Sequence, residues 1–482
     1  MDITFKSTNM ESLNREYQQL AALIQEQFLD QIKEAQQKND SALVERLSRQ
    51  LQDNIEKLST TFQSKHKALY SEILIYQKDL CSLNLDRVVY EGDRDYLLGF
   101  EQDPDLGLAL RQKEDVIISL QPNKKRLEVS VRLTSESSPD IYKIGEKCRD
   151  ILGFKRDIEL YVYEDEKMRA FSYLLKDNNV HIFLSSGLLE KLNHAELTNV
   201  IGHELGHALF SHHNYPTEYL MEIGIDYLSS FQRMKLYSWR RSAEISADRI
   251  GLLCCQNLKA AFSSFQKLYP DAIRASRSFN IRDISPLIGD NTSNEEYWYY
   301  THPLIPIRIK ALDLYEKSQV YRQLSGQKGG SLSRDDMEKD IKQMLSLMDP
   351  PLLADESEFP DLIQKYTFLA GYILLRTSHR REDFKLQSLK SLTSEEVFTS
   401  TLKAFGDKDK EIIEAELRSL SSTMNIILSP VQKRNLLLEL LPICSVEDEI
   451  DRKVIKMLYD LSYMLQIDSE FIDRVLADEA KI

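Results

Sequence analysis

The sequence predicts an α+β protein that is predominantly helical and divided into three parts. Apolar residues recur at the three- and four-residue spacing of amphipathic helices through residues 1–110 and again from residue 335 onward. Between these regions, short segments rich in valine, isoleucine and tyrosine alternate apolar with polar residues, as half-buried strands do. At 482 residues, the chain is long enough for about three domains.

Composition and charge limit the classes of function. The formal net charge of -14 argues against a nucleic-acid-binding protein and against a polybasic membrane-surface protein. The longest apolar run, residues 366–375, is shorter than the about 20 residues that span a bilayer, and residues 1–10 lack the apolar core of a signal peptide. The five cysteines are scattered without a C-x-x-C pair, so neither a disulfide framework nor a thiolate zinc site is indicated. We therefore expect a cytoplasmic protein without a transmembrane segment.

The first predicted part, residues 1–110, is a helical hairpin. Two amphipathic patterns are separated by a polar break at residues 38–41, where Asp40 or Ser41 caps the second helix. Such an arm is typical of packing against a protein partner or a second copy of the chain. An arm that gates access to a substrate site is the alternative.

The second predicted part, residues 111–325, mixes strands with helices, and the third part, residues 332–482, is an all-α bundle. The glycine-rich segment 326–331 has no apolar residue and is interpreted as the linker between them. Within the second part, the patterns predict strands at residues 116–120, 127–133, 157–163 and 180–184 and helices at residues 141–152 and 186–192.

The residues that carry chemistry lie on one predicted helix of the second part. Asn193 and Glu196 match a capping box, so the helix begins directly after Asn193. His203 and His207 lie one turn apart on the side opposite the apolar residues, where both imidazoles can bind one cation. Glu204 flanks them and can reach a water molecule on the metal. This H-E-x-x-H pattern predicts two zinc ligands and a general base.

A zinc site of this kind needs a third protein ligand. His213 follows His207 by six residues, a spacing that some zinc proteases use, but that arrangement requires a glycine where Phe210 stands. His212 and His213 are instead interpreted as surface histidines at a helix end. Glu244 is the stronger candidate.

Glu244 shares one predicted helical face with Arg241, Asp248 and Gly251. Ala247 and Gly251 are small, as expected where a second helix approaches closely. Asp248 could accept the outer N–H of a ligand histidine and fix its tautomer. Arg241 could pair with Asp248 or with the substrate backbone, and the sequence does not decide between them.

With these two helical motifs, the sequence resembles the CAAX-prenyl-endopeptidase and HtpX-like family of zinc metallopeptidases, which are gluzincins. The resemblance covers about residues 115–315. Besides the two helical motifs it includes Gly187-Leu-Leu before the first of them, and Thr301-His302-Pro303 followed by Arg308 and Leu312.

The resemblance implies a zincin-like core and endopeptidase activity on a protein or peptide substrate. It implies one zinc ion per chain on His203, His207 and Glu244, with Glu204 as the general base. It also implies a role for His302 near the metal, as a gating or oxyanion-side residue. A zinc-bound but proteolytically silent scaffold, with chaperone-like function, is the alternative.

Two further expectations concern the substrate and the C-terminal part. The strand made of Val180, His181, Ile182, Phe183 and Leu184 is expected to offer a free edge to which an extended peptide adds. The C-terminal part faintly resembles a TerB-like helical module, through the acidic residues 446–451 and the amphipathic helix that follows them.

Overall fold

The computed structural model describes scattered residues between 16 and 65 and then residues 81–101, 103, 105–107, 109, 129–174, 179–215, 217, 220–221, 227–270, 295–353, 356–378, 389–444 and 452–479. In these ranges most residues are helical, and the four strands form a single mixed sheet. The prediction of a mostly helical α+β protein is confirmed.

From residue 85 onward, the described elements are numbered in chain order. The first half contains α1 (Leu85–Val88), α2 (Glu91–Glu101), β1 (Val131–Leu133), α3 (Pro139–Leu152), β2 (Ile158–Tyr163), β3 (Ala170–Leu174), β4 (Val180–Ser185), α4 (Ser186–Lys191), α5 (His194–Leu209), α6 (Ser230–Cys255) and α7 (Leu258–Leu268). The second half contains α8 (Ile305–Lys317), α9 (Gln319–Leu324), α10 (Arg334–Ser346), α11 (Phe359–Ser378), α12 (Glu395–Phe405), α13 (Lys410–Ile427), α14 (Pro430–Cys444), α15 (Arg452–Met464) and α16 (Ser469–Glu479). Short 3-10 turns cover His212–Asn214, Glu295–Tyr299 and Pro351–Leu353.

The two N-terminal apolar stripes face each other. The described residues between 16 and 65 are helical, except for Lys38 in a turn. Ile24 from the first stripe and Leu58 from the second are buried in one cluster. The rings of Tyr17 and Phe62 lie 4.5 Å apart between their centroids.

The sheet has the strand order β1-β2-β4-β3. Strands β2 and β4 are parallel, with Ile158 opposite Val180, and the two outer strands pair in antiparallel fashion. The prediction of a free edge at residues 180–184 is therefore wrong, because β4 has a neighbour on each side. Its almost continuous apolar run and complete burial are typical of an interior strand covered on both faces.

The outer strand β3 was not predicted from the sequence, and it forms one end of the sheet. At the other end, β1 is shorter than the predicted strand 127–133, since only Val131–Leu133 pairs within the described residues. The predicted strand 116–120 lies outside the described residues.

Helices α5 and α6 approach each other unusually closely. A Cβ atom on Gly206 would lie 2.7 Å from the Cα atom of Ala247, and one on Gly251 would lie 2.8 Å from the carbonyl oxygen of Asn199. Side chains larger than hydrogen would force the backbones apart. The close approach predicted from Ala247 and Gly251 is confirmed, and it brings the polar residues of both helices together.

Two large hydrophobic cores lie in the described part of the chain. The first core runs from Cys81 to Met348 and includes the sheet, α5 and α6. It extends past the predicted limits 111–325 on both sides, since Val88 and Ile341 of α10 are also fully buried in it. The second core, from Tyr366 to Ile472, is formed by helices only.

The described ranges contain no helix with the length and apolar character needed to cross a bilayer.

Side chains of α6 contact the C-terminal part. Phe231 packs edge-on against Phe359, with 5.0 Å between the ring centroids, and Lys235 forms an ion pair with Glu356. These contacts seat the start of α11 against the start of α6.

Candidate metal centre

Helix α5 carries the predicted motif and begins where the sequence pattern places it. The Asn193 side chain accepts a hydrogen bond from the backbone N–H of Glu196 at 3.1 Å. The Glu196 carboxylate accepts one from the backbone N–H of Asn193 at 2.8 Å. This reciprocal cap fixes the first turn and therefore the rotation of the helix, which directs His203 and His207 toward α6.

The structure brings the three predicted ligands together. The Nε2 atoms of His203 and His207 lie 3.1 Å apart. The Glu244 carboxylate oxygens lie 3.4 Å from each of these nitrogens. One donor atom from each residue falls within 4.8 Å of the other two, a spacing that fits ligands around one cation.

The donor set fits a zinc ion chemically. Two imidazole nitrogens and one carboxylate are a ligand combination that catalytic zinc uses, with the fourth position open. Glu244 is 1 % exposed, and its Oε1 atom accepts no hydrogen bond from the described residues. His207, His302 and Arg240 approach this oxygen only to 3.4, 3.5 and 3.6 Å, so a cation among the ligands would complete its interactions.

The two carboxylates of the centre have opposite electrostatic environments. Burial raises the pKa of Glu244, but the charges of His302 and Arg308 outweigh it and hold that pKa well below its usual range. Burial also raises the pKa of Glu204, and here the opposing influence of His203 is too small to reverse the shift. Glu244 is therefore held as an anion, whereas Glu204 has a raised affinity for a proton.

Ser172 on β3 contacts Glu204, a contact that the sequence did not suggest. Its hydroxyl lies 3.1 Å from Glu204 Oε2 and 2.9 Å from the backbone carbonyl oxygen of the same residue. The outer strand of the sheet therefore borders the side chain predicted to be the general base.

Asp248 lies where the predicted tautomer-fixing residue should be. Its Oδ1 atom is 2.9 Å from His203 Nδ1. Arg308 on α8 donates to both oxygens of Asp248, at 2.8 Å and 2.6 Å, and its Nη2 is 3.2 Å from Glu244. In the sequence, Arg308 was identified only as part of the family resemblance. No sequence pattern predicted its contact with Asp248.

The predicted pairing of Arg241 with Asp248 is wrong. Its guanidinium is fully buried and donates to the backbone carbonyl oxygens of Tyr300, at 2.7 Å, and Trp298, at 3.3 Å, and it also pairs with Asp349. Asp248 is not its partner because Arg308 occupies that carboxylate. Arg241 instead fixes the backbone directly before His302.

His302 lies at the exposed side of the centre. Its Nε2 atom is 3.5 Å from Glu244 Oε1, and its side chain is 47 % exposed, whereas Glu244 is 1 % exposed. Arg240, which is also partly exposed, lies 3.6 Å from the same oxygen. The centre is thus open to solvent where these two side chains lie.

Of the two histidines predicted to lie at the surface after α5, His212 is buried and His213 is partly exposed. The helix ends at Leu209, and Ser211 adopts a left-handed conformation with φ of 56° that turns the chain back. His212 is consequently 2 % exposed, and its Nδ1 atom lies 2.8 Å from His207 Nδ1. His213 lies beside Ser172 at 3.3 Å and is not one of the three converging ligands.

Comparisons with known proteins identify relatives of the region that holds this centre. Residues 135–316 match the sequence profile described as peptidase family M48. The Arabidopsis thaliana protein named plastoglobule-localized metallopeptidase 48, chloroplastic, is 27% identical over 220 residues, or 42% of this chain and 63% of the relative. A protease HtpX homolog from Streptococcus uberis is 29% identical over 96 residues, or 20% of this chain and 30% of the relative.

The chain thus covers less than two thirds of the length of both relatives. No solved structure matches the chain.

Proposed function

The resemblance of residues 135–316 to the HtpX-like metallopeptidases of family M48 is confirmed, and on this premise we propose that the chain is a zinc-dependent endopeptidase. His203, His207 and Glu244 would hold one zinc ion, and Glu204 would act as the general base. The observation that carries the proposal is the convergence of these three donor atoms on two helices, with a buried Glu204 directly beside them.

The surroundings of the centre support a pre-organised site. Helices α5 and α6 are locked at close distance by Gly206 and Gly251, so the histidines and Glu244 cannot separate easily. Asp248 accepts the outer N–H of His203, and Arg308 holds Asp248 in place. Ligands restrained in this way bind a metal with little loss of conformational entropy.

The chemistry divides between the metal and Glu204. Bound zinc would supply a Lewis acid that polarises the scissile carbonyl group and acidifies water. Glu204 would accept the proton of the attacking water and donate it to the leaving amine nitrogen. Burial raises the pKa of Glu204, and this direction favours a carboxylate that accepts a proton and later donates it.

We place the substrate backbone along β3 rather than along residues 180–184. Strand β3 is an outer strand of the sheet, and its Ser172 contacts Glu204, whereas β4 is an interior strand. An extended peptide that added to β3 would bind through main-chain hydrogen bonds and run past the base. Such binding tolerates many side-chain sequences.

His302 and Arg241 would act together at the open side of the centre. His302 is exposed enough to contact a substrate or to close over the metal, and Arg241 anchors the carbonyl groups of the preceding segment. We propose that Arg241 sets the position of His302 instead of contacting the substrate itself.

The roles of the outer parts of the chain stay predictions. A partner-binding or self-associating helical hairpin before residue 110 and a TerB-like module after residue 332 both remain to be tested. The acidic stretch 446–451 lies outside the described residues.

Proteolysis by wild-type protein and by the Glu204→Gln variant tests the proposal. Both proteins would be loaded with zinc, their zinc content measured, and each incubated with unfolded protein substrates. We expect cleavage by the wild type and by a Glu136→Gln control, whose side chain is exposed, but none by Glu204→Gln with zinc bound.

Two outcomes would contradict the proposal. Full proteolysis by zinc-loaded Glu204→Gln would exclude Glu204 as the base. Zinc binding without cleavage by either protein, over a broad set of substrates, would favour the silent scaffold.

A further inference from the structure

A buried chain of hydrogen bonds runs from helix α2 to one of the proposed zinc ligands. His212 Nδ1 lies 2.8 Å from His207 Nδ1, and His212 Nε2 lies 2.9 Å from Asp93 Oδ2. The other oxygen of Asp93 accepts a hydrogen bond from Trp239 Nε1 at 2.9 Å. Asp93 and Trp239 are fully buried, and His212 is 2 % exposed, so water does not compete for these contacts.

With both histidines neutral, the donors and acceptors of this chain have only one satisfactory assignment around an Asp93 carboxylate. The indole of Trp239 can only donate, and a carboxylate can only accept. His212 must therefore donate from Nε2 to Asp93, which leaves its Nδ1 atom as an acceptor. His207 must then donate from Nδ1.

This assignment leaves the Nε2 lone pair of His207 free. That atom lies 3.1 Å from His203 Nε2 and 3.4 Å from Glu244 Oε1, among the three converging donors. A histidine binds a metal only through an unprotonated nitrogen. The hydrogen-bond chain thus selects the tautomer of His207 that is competent to bind zinc.

We propose that Asp93 and His212 are positioning residues that hold His207 in its zinc-binding tautomer, an inference that rests on the zinc site proposed above. His203 obtains the same protonation pattern from a direct contact with Asp248. His207 obtains it through an intervening imidazole, since Asp93 on α2 reaches the Nδ1 atom of His207 only through His212.

Helix α2, which lies outside the family-matched region, would thus have a function at the metal centre. Asp93 is on α2, and the match to family M48 begins only at residue 135. Helix α2 is seated against α6 by two further polar contacts, from the backbone N–H of Tyr90 to Ser246 at 3.0 Å and from the Tyr96 hydroxyl to Ser238 at 2.8 Å. Residues 81–101 would thus complete the centre that residues 135–316 contain.

The Asp93→Asn variant tests the tautomer directly, because its side chain has nearly the same shape. Trp239 donates, so the amide oxygen of Asn must face the indole and the amide NH₂ must face His212. His212 would then accept at Nε2 and donate from Nδ1, which would place the proton of His207 on Nε2. We expect zinc affinity, measured by competition with a chelating dye, to fall about 10- to 100-fold.

A second substitution should reverse part of this loss. In the double variant Asp93→Asn, Trp239→Phe the indole donor is gone, so the amide can turn its oxygen toward His212 and restore the original proton pattern. We expect the double variant to bind zinc more tightly than Asp93→Asn alone, although loss of the indole lowers its stability. A merely structural network would show the opposite order.

Glu338→Gln is the matched control. Glu338 is also buried and pairs with Arg249 at 2.8 Å instead of with a proposed ligand, so its substitution should lower thermal stability and leave zinc affinity unchanged. Wild-type affinity in folded Asp93→Asn, or a double variant no tighter than Asp93→Asn, would overturn the inference. A wild-type protein that bound no zinc would instead overturn the proposed function, and the inference with it.

Discussion

Arg308 donates two hydrogen bonds to Asp248, from Nε to Oδ2 at 2.8 Å and from Nη2 to Oδ1 at 2.6 Å. Oδ1 is also 2.9 Å from His203 Nδ1. Helix α8 is thereby tied to α6 and, through one imidazole, to α5. The arginine thus orients the Asp248 carboxylate, and both side chains are buried.

The Arg308→Lys variant should weaken the metal centre. A lysine keeps the charge but cannot form two parallel hydrogen bonds to one carboxylate, so Asp248 would lose its fixed orientation. We expect zinc affinity to fall about 10-fold or more. Competition with a chelating dye measures the affinity, and Arg132→Lys, at a side chain that is 57 % exposed, serves as the control. Equal affinities of Arg308→Lys and wild type would show that Asp248 needs no anchor.

The Ser172→Ala variant should change the pH dependence of proteolysis. The Ser172 hydroxyl stabilises the anionic form of Glu204 and so lowers its pKa, while burial raises it. Removing the hydroxyl should raise that pKa further. The base must be deprotonated to act. The acidic limb of the activity profile should therefore move to higher pH in the variant.

The pH profile of kcat/KM checks this expectation. Ser263→Ala is a suitable control, since Ser263 contacts Glu196 at the far end of helix α5. If the acidic limb of the kcat/KM profile stayed in place or moved to lower pH, the Ser172 hydroxyl would not lower the pKa of Glu204.

The sequence could predict the ligands because they obey helical spacing. His203, His207 and Glu204 share one helix, and Glu244 and Asp248 share another, so periodicity alone places them on common faces. The capping box at Asn193 also fixed where the first helix begins.

The contacts around the ligands could not be predicted in the same way. Arg308, Asp93 and Ser172 come from three other elements, and no local pattern indicates which distant helix or strand packs against the centre. His212 looked like a surface residue because the sharp turn at Ser211, which buries it, has no glycine to mark it. The strand order was missed for a related reason, since strand pairing depends on partners far along the chain.

The Gly206→Ala variant should loosen the two ligand-bearing helices. The new Cβ atom would lie 2.7 Å from Ala247 Cα and 3.2 Å from Ile250 Cβ, so α5 and α6 would have to separate. We expect a loss of about 1–3 kcal/mol in the free energy of unfolding, together with weaker zinc binding.

Gly99→Ala is the matched control for that change. Gly99 lies in α2, and a Cβ atom added to it would have no described neighbour within 4 Å, so alanine there should leave stability unchanged or raise it by up to about 1 kcal/mol. Denaturant unfolding with and without zinc measures both variants. A Gly206→Ala protein as stable as wild type would mean that the helices can separate freely.

The pH dependence of folding should show the effect of Glu101, at the end of α2. Burial raises the pKa of its carboxyl from 4.5 to about 8. Between pH 4.5 and about pH 8, the carboxyl is ionised in the unfolded chain but still protonated in the folded protein. The contribution of Glu101 to the free energy of unfolding therefore falls as the pH rises and is lowest above about pH 8. Each unit of pKa difference corresponds to about 1.4 kcal/mol, so we expect a loss of a few kcal/mol.

Glu101→Gln should remove this dependence. Compared with wild type, we expect the variant to gain stability at about pH 9 and to gain little at about pH 5, because at the lower pH the native carboxyl is already protonated and uncharged. Thermal unfolding at the two pH values measures the difference, with the exposed Glu411→Gln as the control. An equal gain at both pH values would show that the amide acts through packing or hydrogen bonding and that the charge of Glu101 does not destabilise the folded protein.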